Sequence, residues 1–360
     1  MSTRSEIGLT PVIKLSRDII RALQAGAKIP SMPIGSYPEA AGEPPGPGSD
    51  PRCQARILVD LYYTMQELRK RLGNQVGAID RGVDTGASHE AVDFALDQAT
   101  QLEVNARLWL ETLASGHPMW PWLSAVHGIG PVLASGLLAH LKLMPTVGHW
   151  WRFAGYDPSQ KWLTGADISD LWNAQTGGIE ERVRAVSIIV GRSAETVVRD
   201  ATHDFKTGQP RKLTRATAIA SLARIPFNRP LKTLCWKIGD SFVKLGSRED
   251  AFYARWYRQR KAEEAARNER GERSGLAAAT LKARPNHAQA EIYKAGKLPD
   301  GRVDLMARRA TVKLFLSHMH EVWWRLEHGT LPPAPFSVAI QGHAHYIPAP
   351  YLEAVGLQPH

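Results

Sequence analysis

Cysteine is almost absent: Cys53 and Cys235 are the two thiols in 360 residues. Two thiols build neither a disulfide framework nor a four-cysteine zinc site, and their scarcity suits a reducing compartment, so a cytoplasmic location is expected. Long apolar runs are missing as well. No stretch reaches the roughly 18 apolar residues of a membrane span, and the opening MSTRSEIGLTPVIKLSRDII has no signal-peptide core ahead of its charges. Secretion and membrane insertion are therefore not expected. Acidic residues are the scarcer charge, 35 against 45 Lys and Arg, for a formal charge of +10 and an isoelectric point near 9.6. Such an excess favours polyanionic partners such as nucleic acid over acidic small molecules. What the chain does have is 43% hydrophobic residues, enough to bury a core in one large or two ordinary domains.

Residues 30–51, PSMPIGSYPEAAGEPPGPGSDP, hold too much Pro and Gly for a helix or central strand, so residues 1–54 read as a flexible arm. From Ala55 onward, Leu58, Leu61, Tyr62, Met65, Leu68 and Leu72 share one helical face, with Gln66, Glu67, Arg69, Lys70 and Arg71 on the others. After a break at residues 80–86, Ser88 can cap a second helix whose stripe is Val92, Leu96, Ala99, Leu102, Ala106 and Leu110. Residues 55–116 are thus expected to form an antiparallel helical hairpin. A unit over 117–245 follows, with an insertion at about 167–226 where glycines punctuate short helices. Residues 246–329 are basic and helical, ending in a long helix from about 302 to 328 with Val312, Phe315, Leu316, Met319, Trp323 and Leu326 inward. Pro332, Pro333 and Pro335 then open an extended tail over 330–360. The fold class expected is mainly α.

The strongest local signal is PWLSAVHGIGPVLASGLLAHL, where Gly128 and Gly130 flank Ile129 and Pro131 opens the next helix. The glycines permit a sharp turn and let main-chain amides approach a phosphate without an intervening side chain. Ile129 would plug the core between the two helices, and Pro131 costs no hydrogen bond at the first helical position. The amides after it carry the positive end of the helix dipole, which favours an anion. This is a helix-hairpin-helix pattern, in which Gly128, Ile129, Gly130 and Val132 would contact the nucleic-acid backbone without reading sequence. A tight helix-to-helix turn with no ligand is the plainer alternative. Further along, Arg308, Arg309 and Lys313 stand on the polar side of the last helix, where opposing acids are few, and would extend the contact to DNA.

Together with LSAVHGIGPVLASGLLAHL, the stretches WWRFAGYDPSQKWLTG, RPLKTLCWKIGDSFVKLGS and ARRATVKLFLSHMHEVWWRLEHG resemble the C-terminal domain of insertion-sequence transposases of the 110, 116 and 902 families. The resemblance covers most of residues 119–329, interrupted between 167 and 227. It implies a DNA partner, DNA transposition or recombination, and, in those relatives, a structured guide RNA. It also implies a serine in this domain that attacks DNA and, in a separate RNase-H-like domain, four acidic residues that bind divalent metal. The residues here depart from both. Before Met119 the chain reads as an arm and two helices rather than β-hairpins, so Asp60, Asp80, Asp84 and Asp93 read as solvated. Where the family has Ser-Gly, this chain has Thr164-Gly165, and Ser159 lies a few residues earlier beside Asp157 and Pro158. Ser159 and Thr164 are the candidate hydroxyl nucleophiles, each with a turn-forming role as its alternative.

No cofactor is named by the residues themselves, and Mg2+ is implied only if the chain is catalytic. A homo-oligomer is compatible with the sequence. The charged run of Arg255, Arg258, Arg260, Lys261, Arg267, Arg270 and Arg273 is interleaved with Glu263, Glu264, Glu269 and Glu272, so a solvated face competes with a DNA-binding one. His318 and His320, and His343 and His345, are too few for a metal site without further ligands, and hydrogen-bonded packing is expected of them. Three functions fit: a transposase-related DNA-binding protein, a non-catalytic accessory protein that recognises structured nucleic acid, and a helical scaffold for another protein.

Overall fold

The computed structural model describes residues 50–82, 89–157, 162–204, 207–333 and 346–358, all within the compact unit Ser49–His360. Among the described residues there are α-helices, one 3-10 turn and an isolated bridge between His203 and Pro210, and no strand. The mainly α expectation therefore holds. Helix α1 (Pro51–Asp80) starts where the Asp50 side chain accepts from the Arg52 amide and Pro51 fills the first turn. Helix α2 (His89–Ser115) runs back along it. His89 meets Asp80, Glu103 meets Arg69 at 2.6 Å, and Leu110 packs with Ala55 and Val59. The α1 stripe is turned from the expected one, since Val59 is buried while Leu68 is exposed. The reason is that α1 serves two neighbours, packing on the next long apolar helix as well as on α2.

That apolar helix is α4 (Pro131–His140), reached from α3 (Trp120–Ala125) through the bend at His127 to Gly130. Val132, Ala134, Ser135, Gly136, Leu137, Leu138 and Ala139 are all buried. A helix that is apolar all round has to be enclosed, and α1, α2 and the helix over Arg229–Lys244 enclose this one. Helix α5 (Val147–Phe153) follows and seats Trp150 in the core, with its indole N–H on the Lys142 carbonyl.

Residues expected as an insertion form α6 (Gly165–Asn173), α7 (Ile179–Val190), α8 (Ala194–Thr202) and α9 (Arg215–Leu222). They have a hydrophobic cluster of their own, built from Ile168, Trp172, Val183, Val186, Val197, Ala218 and Leu222. The glycines there mark helix ends: Gly178 is the N-cap of α7 and Gly191, in the left-handed region, its C-cap. Buried Asp200 pairs with Arg192, Arg199 and Arg224 at 3.5, 3.2 and 2.9 Å.

Helix α10 (Arg229–Lys244) returns to the main core through Leu231, Leu234, Ile238 and Phe242. Helix α11 (Phe252–Glu269) stops before the left-handed Gly271 and short of the end of the charge run at Arg273, and α12 (Ser274–Ala283) and α13 (Ala290–Lys294) form a small satellite. Helix α14 (Asp300–His328) then crosses the core with Val312, Phe315, Leu316, Met319 and Trp323 buried, as the spacing predicted. Residues 346–358 are anchored against it. The Trp122 indole donates to the Pro350 carbonyl at 2.7 Å, Arg325 to the Gln358 carbonyl, and Leu352 is buried.

His318 on α14 is part of that anchor. A carbonyl can only accept, so Nε2 carries the proton it gives to Ile347, and Nδ1 accepts from the Tyr253 hydroxyl, both at 2.9 Å. Burial, opposed in part by the bond to Ile347, lowers His318 from 6.5 to about 4. Below 6.5 the unfolded chain binds a proton that the folded chain refuses, so stability falls as pH drops through this window. His117, His140 and His320 are shifted in the same direction, first by burial. Urea unfolding should therefore lose on the order of 3 kcal/mol through His318 alone between about pH 7 and 4. A His318→Gln variant should show a flatter dependence, and one as steep as wild type would remove His318 as the cause.

Candidate nucleic-acid interface

Gly128 and Gly130, read alike in the sequence, are given different work by the fold. Gly128 has φ +92, and a Cβ there would stand 2.9 Å from both Leu245 Cδ1 and Ser241 Oγ. Its carbonyl accepts from Ser241 Oγ at 2.7 Å. Gly128 thus fastens the bend to α10 and belongs to folding. Gly130 has an extended backbone that any residue adopts, is exposed, and has open space where a Cβ would be. Ile129 is buried in the main core, and Val132 is buried against Ala55, Val59 and Leu110. Their side chains hold the bend, and only main-chain groups of these two residues could reach a ligand.

Helix α4 has no side-chain cap at Gly130. Among the described residues, nothing accepts from the amides of Gly130, Val132 or Leu133. The opposite end of α4 is served, since Arg56 donates through Nε and Nη2 to the Ala139 carbonyl at 3.1 and 2.8 Å. The positive end of the helix is thus the one left open to an anion.

Lysines of α1 and α10 lie near one another. Lys237, one turn before Ser241 on α10, lies 3.5 Å over the ring of Tyr63, which itself packs on the Val132 cluster. It makes no ion pair among the described residues, and burial followed by nearby Lys70 lowers its pKa, with Glu67 and Asp240 opposing and Lys244 adding. Lys70 and Lys244 are exposed and touch Glu67 and Asp240 at 3.1 and 2.7 Å. In the bend itself, His127 reaches Asp250 at 3.4 Å, and Arg248 holds that carboxylate down at about 2.

The basic residues of α14 separate in the same way. Arg308 is held by Asp304 at 2.6 Å and Asp240 at 3.2 Å, contrary to the expectation of few opposing acids. Arg309 and Lys313 have no ion pair among the described residues. Arg309 lies 5.1 Å over Tyr156 and donates to the Gly155 carbonyl, while Lys313 lies 4.1 Å over Trp151. Lys232 of α10 completes the group, 4.0 Å over Phe227. Arg258, Arg260, Lys261, Arg267, Arg270 and Arg273 near α11 are instead knitted to Glu249, Glu263, Glu264, Glu272 and Asp304, a network of mixed charge built in part around the buried Glu264.

Thr164 is the N-cap of α6. Its hydroxyl donates to Asp167 at 2.7 Å and accepts from the Asp167 amide, and the bonds from Thr164 lower the Asp167 carboxyl. A carboxylate so stabilised is a weak base for activating that hydroxyl. Ser159, Asp84, His343 and His345 lie outside the described residues. Asp60, Asp80 and Asp93 are spread over α1 and α2, with Asp80 and Asp93 bonded to His89. No cluster of metal-binding side chains occurs among the described residues, and His320 bonds the Met144 carbonyl.

Lys232 and Lys237 carried no role in the sequence reading. The signal for them was the polar side of the α10 stripe, opposite Leu231, Leu234 and Ile238, but one helix cannot reveal which rings or carboxylates a neighbouring helix supplies. No helix among the described residues is long and apolar enough to cross a membrane. No protein-family profile, curated protein or solved structure matches the chain.

The two glycines should respond differently to the same change. Gly128→Ala should cost about 1–3 kcal/mol through its left-handed backbone and the contact with Ser241. Gly130→Ala should stay within about 0.5 kcal/mol of wild type. Chemical denaturation of both variants reads the difference directly.

Proposed function

We propose that this chain binds DNA, gripping the phosphate backbone with the bend between α3 and α4, and that it is related to transposases of the insertion-sequence type. The observation that carries the reading is the exposed, uncapped start of α4 at Gly130 with its unclaimed amides, together with Lys237 over Tyr63, a ring that packs on the Val132 cluster. Amides at a helix start and an ammonium group give a phosphate short, charge-assisted bonds. Asp, Ser or Asn would cap α4 at least as well as glycine does. Glycine there leaves the amides available, which helix stability alone does not require. The contacts are to backbone, so they position a duplex without selecting its sequence.

A non-catalytic accessory role in recognising structured nucleic acid is the second reading, favoured by the use of the Thr164 hydroxyl as a helix cap. Strand nicking in Mg2+ separates the two. A transposase should nick DNA and lose that activity in Ser159→Ala, whereas an accessory protein should bind without nicking.

Binding itself is tested by Gly130→Asp, whose carboxylate would cap α4 and occupy the anion position. Fluorescence anisotropy should show at least a tenfold loss of DNA affinity at low salt, about 1.4 kcal/mol, with melting unchanged or slightly raised. Lys237→Gln should lower the slope of log affinity against log salt by about 0.9. Superimposable wild-type and Gly130→Asp curves would end the proposal.

A further inference from the structure

Lys232, Arg309 and Lys313 come from two helices and face one turn. Arg309 and Lys313 are one turn apart on α14, and Lys232 sits near the start of α10. The turn is at Gly155, where φ is +72 and a Cβ would stand 2.9 Å from Phe227 Cγ and 3.2 Å from Lys232 Cδ. The Asn228 amide ties the Phe227 loop to the Phe153 carbonyl at 2.8 Å, and the Trp151 indole donates to the Lys313 carbonyl at 3.3 Å. Each cation is backed by a ring: Lys232 by Phe227, Arg309 by Tyr156 and Lys313 by Trp151. These rings fix the stems and leave little freedom for the charged heads to separate.

Such an arrangement opposes folding. Burial first and Arg309 second hold Lys232 and Lys313 below the usual lysine range, with Asp157 acting the other way on Lys313. No carboxylate forms an ion pair with any of the three among the described residues, whereas Arg308, the neighbour of Arg309, has two. Like charges held together by packing lower stability unless an anion relieves them.

We propose that Lys232, Arg309 and Lys313 form a preorganised site for a phosphate group. Arg309 supplies a planar fork of donors and the lysines supply point charges, the combination that suits tetrahedral phosphate oxygens. The three rings already carry cations on their faces, so they buttress the site and do not offer it a base to stack. The phosphate belongs either to a nucleic-acid backbone or to a small phosphorylated compound. The site uses none of the residues of the α3–α4 bend and stands whether or not that bend binds DNA.

The test takes the full chain at constant ionic strength while chloride is exchanged for inorganic phosphate, and compares wild type with Lys313→Met and with Lys232→Met/Arg309→Gln. Melting of wild type should rise by a few degrees more than that of either variant, since an anion that binds only the folded state stabilises it. In chloride, Lys313→Met should melt no lower than wild type, because a like charge has been removed. Anisotropy of a labelled DNA then identifies the source. A salt slope reduced by about 2 in Lys232→Met/Arg309→Gln assigns the phosphate to the nucleic-acid backbone. An unchanged slope with a lost phosphate response assigns it to a small compound. Equal phosphate responses in all three proteins, together with an unchanged DNA slope, overturn the site. Gly130→Asp, measured alongside, reports separately on the bend.

Discussion

Helix α4 is apolar on every side, and the remainder of the main core is arranged to cover it. Nothing in PVLASGLLAH offers a solvated face, so its burial requires neighbours all round. Small residues set how close they come: a Cβ on Gly136 would stand 2.7 Å from Leu234 of α10, and Ser135 donates to the Leu110 carbonyl of α2 at 2.6 Å. Helix α1 closes the remaining side and serves the α4 C-terminus through Arg56. With the sides and C-terminus so covered, the start of α4 at Gly130 is the end that faces solvent. The position of the bend is therefore a by-product of core packing, and its openness follows from the same constraint.

Charge is partitioned with similar economy. Arginines around α11 and in the α6–α9 unit are matched to Glu264, Glu272 and Asp200, so that much of the positive excess is cancelled locally. Two sets of cations without an ion pair among the described residues lie against aromatic rings, Lys237 over Tyr63 and the Lys232, Arg309 and Lys313 group around Gly155. Both use aromatic rings in place of carboxylates as the partner of the cation. A ring steadies an ammonium or guanidinium group without neutralising it, which preserves its attraction for an anion at some expense in stability.

Periodicity made the long helices legible. Leu231, Leu234, Ile238 and Phe242 on α10, and Val312, Phe315, Leu316, Met319 and Trp323 on α14, point inward as their spacing required. The stripe of α1 was less well read, since Leu68 is exposed and Val59 buried. A helix touching two partners has a wider and rotated apolar face than a single spacing pattern suggests. The insertion was seen as glycine-punctuated, yet its self-contained core of Ile168, Trp172, Val183 and Val197 depends on contacts between helices far apart in sequence.

Composition and local chemistry by themselves determined the helical class, the lack of a membrane-spanning stretch, the sharp bend at residues 126–131 and the helix start at Pro131, whereas the helix starts at Pro51 and Thr164 came only with the structure. The former follow from backbone preference and from nearest neighbours along the chain. Only the tertiary structure decided that Gly128 is a folding glycine and Gly130 an open one, and that Arg308 is neutralised while Arg309 is not. It likewise brought Lys232 beside residues of α14. The difference in each case lies in what stands opposite, Ser241 and Leu245 for Gly128, Asp240 for Arg308, Phe227 for Lys232. Those partners come from segments brought together by the burial of apolar helices, a long-range effect that no local sequence pattern encodes.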